Sequence, residues 1–192
     1  NEMGASLNAM PLPTGRTAID IEAFNDDFCA ILDNYSLWCL GDEHSMGYSS
    51  SSTGDNIPQR SLVSGADIVR ASMGQNRMCI QDEFSDLYCW YDLNVVDPSS
   101  LPPIDFGHNL KAVDFSVGLE HYCAILNDQS LRCWGEASHG ELGYENETDL
   151  TVGPDLPAVD LGSVSYPVEV EANTHNTCVR FANGGVKCFG DS

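Results

Sequence analysis

Eight cysteines are the residues of this chain whose type and spacing point most clearly to chemistry. They form four pairs, with nine residues between the two members of each pair. The pairs are Cys29/Cys39, Cys79/Cys89, Cys123/Cys133 and Cys178/Cys188. Structural zinc sites usually place cysteines two to four residues apart, and a redox motif would read Cys-x-x-Cys. Neither spacing occurs here, so the sequence predicts four disulfides and no metal site.

Other residues that could do chemistry lack the companions that a catalytic site needs. His121 stands two residues before Cys123, and we expect it to fix a strand connection, because no nucleophile accompanies it. His44 and His139 lie in glycine-rich segments, and a zinc or catalytic role would require the fold to bring such residues together. No Gly-x-Ser-x-Gly, His-Glu-x-x-His or phosphate-binding loop motif occurs. The sequence thus predicts a non-enzyme without catalytic residues or a cofactor.

The cysteine pairs are positioned by β-hairpins. Apolar residues alternate upstream of each first cysteine, as in Val113, Phe115 and Val117, and a period of two indicates a strand. Turn-forming residues lie midway between the two cysteines, and a second strand follows. The cysteines therefore face each other across an antiparallel pair, where Cα atoms about 4.5–5.5 Å apart can be bridged. Each disulfide should contribute roughly 3 kcal/mol by the chain-entropy estimate.

The hairpin recurs four times, in repeats of about residues 17–64, 65–109, 110–162 and 163–192. No segment shows a helical period, so we expect an all-β chain. Both faces of each hairpin are substantially apolar, whereas a β-sandwich would leave one face polar. Stacked blades cover both faces, so the sequence predicts β-propeller-type blades. The residues after each second cysteine should pack between neighbouring blades: Leu40, Trp90, Trp134 and Phe189.

Composition limits the compartment and the partners. The 192 residues include 8 basic and 29 acidic side chains, and the formal net charge of −21 repels nucleic-acid phosphates. Paired cysteines indicate an oxidising compartment, so we expect an extracellular or cell-surface protein. No apolar run approaches the length of a membrane span and no signal peptide remains, as expected for a processed chain without membrane insertion. Calcium would suit the acidic oxygens, but neither an EF-hand spacing nor an Asp-rich nonapeptide occurs.

Two Asn-x-Ser/Thr sequons begin at Asn34 and Asn146. Asn34 falls in the tip of the first hairpin, and Asn146 falls in a linker. Both are exposed places of the kind where glycans are accepted, so both are glycosylation candidates if the source is eukaryotic.

The third repeat resembles the regulator of chromosome condensation repeat, which is the blade of a β-propeller family. It reads GLEHYCAILNDQSLRCWGEASHGELG. Gly118 and His121 fit the family's Gly-x-x-His, and Trp134-Gly135 fits its Trp-Gly step. The first and fourth repeats match in part, and the second lacks the glycine after Trp90. Cysteine pairs in every hairpin look like those of the secreted relatives, and propellers of this family usually have seven blades, whereas four repeats occur here.

The C-terminal end of the chain, read on into its N-terminal end, reproduces a motif of the first repeat. Residues 190–192 followed by residues 1–4 repeat the Gly-Asp-x-x-x-Met-Gly pattern of residues 41–47. We therefore expect residues 1–17 to complete the blade of repeat four, which is split between the N- and C-terminal segments. Completion within one molecule would give a small four-bladed ring, and completion between molecules would give a head-to-tail contact. A tandem polypeptide is the third form.

Closure at four blades would be atypical of this family, which favours the intermolecular or tandem forms. The sequence therefore predicts a non-catalytic extracellular structural subunit of a homopolymeric, head-to-tail assembly, with copies of itself as partners. The alternative is a secreted or cell-surface propeller module that binds a protein or a glycan.

Overall fold

A computed structural model describes residues 9–10, 12–25, 27–40, 59, 61–62, 64–91, 100–145, 148–162 and 165–191. The predictions for His44, Asn146 and residues 1–4 therefore lie outside the described residues. Within the described ranges, no helix has the length and apolarity needed to cross a membrane.

Each repeat folds as a three-stranded antiparallel sheet, which we number as blades 1 to 4. Blade 1 contains β1 (Ala18–Phe24), β2 (Asp27–Leu32) and β3 (Leu37–Leu40). Blade 2 contains β4 (Ile68–Gly74), β5 (Arg77–Asp82) and β6 (Leu87–Tyr91). Blade 3 contains β7 (Ala112–Val117), β8 (His121–Leu126) and β9 (Leu131–Gly135). Blade 4 contains β10 (Pro167–Ala172), β11 (Asn176–Phe181) and β12 (Val186–Gly190), and the all-β prediction is confirmed.

All four predicted disulfide-bridged hairpins are present. In every blade the two cysteines are direct partners across the second and third strands. The turn between these strands thus has the length that the sequence indicated. The four bridges are Cys29–Cys39, Cys79–Cys89, Cys123–Cys133 and Cys178–Cys188.

The predicted distance across each cysteine pair was too large. The Cα atoms of Cys29 and Cys39 are 4.0 Å apart, and those of Cys79 and Cys89 are 4.1 Å apart. The other two bridges give the same two values. The expected range of about 4.5–5.5 Å describes unbridged partners in an antiparallel pair. A disulfide joins the two side chains covalently, so the strands lie closer together at the bridge.

A β-bulge interrupts the first strand of every blade at the same place. The bulge residue is the first of the alternating apolar positions, and it is exposed at Ile19, Val69 and Val113. A bulge leaves its extra residue out of the ladder, so this side chain leaves the packing face. The sequence periodicity predicted strands here but could not show that one apolar position in three of them would face solvent.

The blades pack in chain order through three apolar junctions. We call the side of a blade that carries its cysteines the disulfide face, and the other side the opposite face. In the third junction, Cys123 and Ile125 on the disulfide face of blade 3 meet Val170 and Val179 on the opposite face of blade 4. The first and second junctions repeat this arrangement. Each disulfide face in these junctions is therefore covered by the blade that follows it.

The large residues that follow the second cysteines lie on the opposite faces. Trp90 and Trp134 are buried in the first and second junctions. Phe189 is half-buried in the third junction. Leu40 is half-buried on the opposite face of blade 1, in a cluster that includes no residue of another blade among those described.

The linker before a blade adds a strand-like contact to the preceding blade. The Ile104 N–H donates to the Leu87 carbonyl of blade 2 at 2.7 Å. The Val159 N–H donates to the Leu131 carbonyl of blade 3 at 2.8 Å. Ile104 and Val159 stand at the same distance before the next first cysteine. Each of these two linkers therefore hydrogen-bonds to the third strand of the preceding blade before it leads into the next blade.

Candidate functional site: the two end faces of the blade array

The described apolar clusters place no blade against two surfaces of the array. One is the disulfide face of blade 4, called here the blade-4 end face and defined by four residues: Cys178, Arg180, Val186 and Cys188. The other is the opposite face of blade 1, called here the blade-1 end face and also defined by four residues: Ile21, Ala30, Leu32 and Trp38. Both are candidate sites because each exposes one apolar side chain, Ile21 or Val186, at a strand position that is buried in the interior junctions.

The four disulfides show where a following blade is present. Cys39 is buried in the first junction, and Cys89 is half-buried against the second. Both cysteines of the blade 3 bridge are fully buried in the third junction. In blade 4, by contrast, Cys178 is half-buried and Cys188 is exposed. A bridge that is covered in the first three blades is thus open to solvent in the fourth.

Val186 repeats this contrast on the blade-4 end face. It is 62% exposed, and its equivalents in the other blades are only 1–2% exposed: Leu37, Leu87 and Leu131. The same strand positions thus form a core in three blades and a surface in the fourth.

The first strand of blade 4 carries hydrogen-bond acceptors at the same positions as the strand that accepts hydrogen bonds in the third junction. In the third junction, the Asp114 carboxylate accepts the Val170 N–H at 2.8 Å. The Ser116 hydroxyl accepts the Ala172 N–H at 2.9 Å. The same two positions of blade 4 also carry oxygen acceptors: Glu169 and Glu171. Glu169 now forms an exposed ion pair with Arg180.

The blade-1 end face is open to solvent only at β1. Ile21 is 63% exposed, and its equivalents in the three junctions are buried: Ala71, Phe115 and Val170. Ala30, Leu32 and Trp38 are fully buried, with Leu12 packed against them. The sequence predictions did not assign Ile21 or Val186 to a site, because both occupy strand positions that are buried in the other blades.

Leu12 occupies the position of a junction residue. It stands as far before its first cysteine as three residues that pack into the interior junctions: Leu62, Phe106 and Leu161. By the same spacing, Met10 corresponds to Ile104 and Val159, and the matching carbonyl of blade 4 belongs to Val186. Met10 and Val186 are exposed, and the described hydrogen bonds do not join them. The completion of the fourth blade by residues 1–17 stays a prediction.

The predicted histidines lie in different environments. His121 is fully buried in the third junction, where its Nε2 lies 2.8 Å from Thr177 Oγ1. Burial lowers the pKa of His121 from 6.5 to about 4, so the ring is neutral in ordinary buffers. His139 is exposed, and its ring stacks on His175 with the ring centroids 4.0 Å apart. His175 carried no signal in the sequence, because its turn is far from His139 along the chain.

Asn34 is exposed at the tip of the β2–β3 hairpin, as its sequon requires. Its Oδ1 accepts the hydroxyl of Ser36 at 2.7 Å, which holds the sequon in a defined turn. Occupancy by a glycan stays a prediction.

Comparison with known proteins agrees with this architecture. The profile of the Regulator of chromosome condensation (RCC1) repeat matches residues 112–141. Prp20p from Saccharomyces cerevisiae superposes with a TM-score of 0.70 and 18% identity, over 92% of this chain and 44% of that chain. Human WBSCR16 gives a TM-score of 0.66 and 17% identity, over 84% and 44%. The receptor kinase CR4 ectodomain from Physcomitrella patens gives 0.60 and 16%, over 94% and 42%.

No curated protein sequence matches the chain. The chain spans less than half the length of each of these three structures. The structural likeness establishes the fold, and the profile match falls on the repeat that follows the family pattern most closely. We conclude that residues 112–141 match the regulator of chromosome condensation repeat, and that the chain folds as β-propeller-type blades with a disulfide in every hairpin.

Proposed function

We propose that this chain is a non-catalytic extracellular structural subunit that assembles head to tail with further copies of itself. In this assembly the blade-1 end face of one copy packs on the blade-4 end face of the next. The proposal is carried by one observation. A single type of blade junction occurs three times among the described residues, and side chains of its two halves stay exposed on blade 1, at Ile21, and on blade 4, at Val186.

The interior junctions specify the contacts expected between copies. Ile21 would cover the Cys178–Cys188 disulfide, as Val170 covers the disulfide of blade 3. The Ile21 N–H, which now donates to the Asp20 side chain at 2.9 Å, would donate to Glu169. The Met10 N–H would donate to the Val186 carbonyl. Covering an exposed Val or Ile side chain stabilises such a contact by about 1.5–3 kcal/mol.

A contact between two different faces is heterologous, so repetition gives a ring or an open filament. Copies with a net charge of −21 repel one another, so assembly should strengthen with salt.

Four disulfides are typical of extracellular proteins and support that location. One of the structural neighbours is itself the ectodomain of a receptor kinase. An oxidising environment would keep the exposed Cys178–Cys188 disulfide intact at the assembly face.

Charged substitutions at the two end faces test the proposal. Ile21→Asp and Val186→Asp should each lower the mass measured by sedimentation velocity without unfolding the chain, because both side chains are exposed. Val113→Asp is the matched control, since Val113 is 54% exposed on the bulge of blade 3 and outside both end faces. Equal effects of all three substitutions, or no effect of either end-face substitution, would refute the proposed contact.

A mixture of the two end-face variants is more discriminating. A copy with Ile21→Asp keeps an intact blade-4 end face, and a copy with Val186→Asp keeps an intact blade-1 end face. The mixture should therefore form a dimer that cannot grow further. A mixture in which both variants stay monomeric, or one that forms long assemblies, would contradict head-to-tail packing.

The second candidate function is a secreted module that binds another protein. It is favoured by the yeast neighbour, whose structure was solved as Kap60 bound to yeast RCC1 (Prp20). In that case the two end faces would bind a different protein, and the purified chain would stay monomeric with its fold intact.

A further inference from the structure

We propose that His139, Glu141 and His175 bind one divalent transition-metal ion of the zinc type at the third junction. One ring nitrogen of each histidine and one carboxylate oxygen of Glu141 lie within 4.8 Å of one another. Two imidazoles and a carboxylate are the ligands of many zinc sites that keep a fourth position open. This inference is independent of the proposed assembly, because the three residues belong to neither end face.

The site joins two blades. His139 and Glu141 lie in the segment after β9 of blade 3, and His175 lies in the turn between β10 and β11 of blade 4. The backbone behind the site is closely packed, because a Cβ on Gly190 would lie 2.3 Å from the His175 carbonyl oxygen and 3.2 Å from the Glu141 Cα. The Asp191 N–H also donates to the His175 carbonyl at 2.8 Å. Two of the ligands are thus held on a fixed backbone.

Glu141 is the observation that points to a cation. Its side chain is only 2% exposed, and no lysine or arginine in the described part of the chain forms an ion pair with it. Its Oε2 accepts the His139 N–H at 2.7 Å, while its Oε1 lies 3.8 Å from His139 Nδ1. A buried carboxylate needs a charged partner or a metal ion. A zinc ion between Glu141 and the two imidazoles would supply that charge.

Small side-chain rotations would bring the three ligand atoms to the distances that a bound zinc ion requires. Zinc bonds of about 2.0–2.2 Å place tetrahedral ligand atoms about 3.3 Å apart. His139 is exposed, and its ring already stacks on His175 at an interplanar angle of 27°. Its Nδ1 now lies 3.0 Å from Ser138 Oγ, an exposed contact that a rotation toward Glu141 would replace. Bound in this way, the ion would fasten the segment after blade 3 to blade 4 and leave a fourth position for water.

Zinc binding to the full chain, prepared without a histidine tag and freed of metal by a chelator, tests the site. Calorimetric titration with Zn²⁺ alone should show one ion per chain, and Zn²⁺ should raise the melting temperature while Ca²⁺ should not. His139→Ala should weaken binding at least tenfold and remove the rise in melting temperature. This variant should fold, because the side chain is exposed. His175→Ala should act in the same way.

His108→Ala is the control, since His108 is exposed on the linker before blade 3 and is not one of the three clustered residues. It should bind zinc like the unmodified chain. The proposal is overturned if the unmodified chain binds no Zn²⁺ at micromolar concentration, or if His139→Ala and His108→Ala bind equally well.

Discussion

Nε2 of His121 in blade 3 lies 2.8 Å from Oγ1 of Thr177 in blade 4, within a fully buried polar contact. The Thr177 hydroxyl donates to the Glu141 carbonyl at 2.8 Å, so it must accept the proton on His121 Nε2. The other edge of the ring faces Gly118, where a Cβ would lie 2.6 Å from Nδ1. The Gly-x-x-His pattern therefore has a packing cause: the glycine leaves room for a ring that joins two blades.

This contact predicts a pH dependence. Because burial lowers the pKa of His121 to about 4, the unfolded chain takes up a proton near pH 6.5 and the folded chain only near pH 4. His121 thus lowers stability as the pH falls from 6.5 to 4, by about 3 kcal/mol in total. His121→Gln should be less stable at pH 7.5 but should lose less stability across that window. Urea denaturation at each pH measures this, and parallel pH profiles for the two proteins would contradict it.

The glycine of the Trp-Gly step should be hard to replace. Gly135 has φ = 114°, and a Cβ there would lie 2.5 Å from the Glu120 carbonyl oxygen. Gly135→Ala should lower the free energy of unfolding by about 2 kcal/mol or more, because strain and a backbone clash coincide. Gly153→Ala is the control, since its Cβ would meet nothing within 4 Å. Similar losses for both variants in denaturant melts would show that this explanation of the Trp-Gly step is wrong.

Trp134 is expected to be a main core residue. Its indole stacks on Tyr122 with the ring centroids 5.5 Å apart, and Phe106 packs edge-on at 5.7 Å. Trp134→Ala should cost about 3–5 kcal/mol of unfolding free energy. The exposed Phe84 supplies the control Phe84→Ala, which should change stability little. A loss below about 1 kcal/mol for Trp134→Ala would not fit a filled blade junction.

Glu22 should destabilise the fold at neutral and higher pH. Burial, and then the nearby Asp20 and Glu171 carboxylates, raise the pKa of Glu22 from 4.5 to about 7. The folded chain therefore holds a proton that the unfolded chain releases, and stability falls as the pH rises from 4.5 to 7. Glu22→Gln should stabilise the chain at pH 8 by about 1 kcal/mol, since solvent screens part of the effect. Its melting temperature should match that of the unmodified chain at pH 4.5, and no gain at pH 8 would contradict the prediction.

The sequence predicted the repeats, the hairpins and every disulfide, because these depend on local spacing within one blade. It did not predict the solvent exposure of Ile19 and Val113, which depends on a bulge that periodicity cannot reveal. It also could not distinguish Val186 from Leu131, because identical strand positions become core or surface according to whether a blade follows. The approach of two histidines in the third junction depends on how two blades pack, and no short-range pattern encodes that arrangement.

The mass of the unmodified chain in solution, measured by sedimentation as a function of protein concentration and salt, tests head-to-tail assembly most directly. The repeated junction predicts assemblies of several copies that dissociate to monomers on dilution and grow with added salt, because screening weakens the repulsion between acidic copies. A compact species with the mass of one chain at every concentration and every salt would contradict it. The two end faces would then belong to a different protein partner.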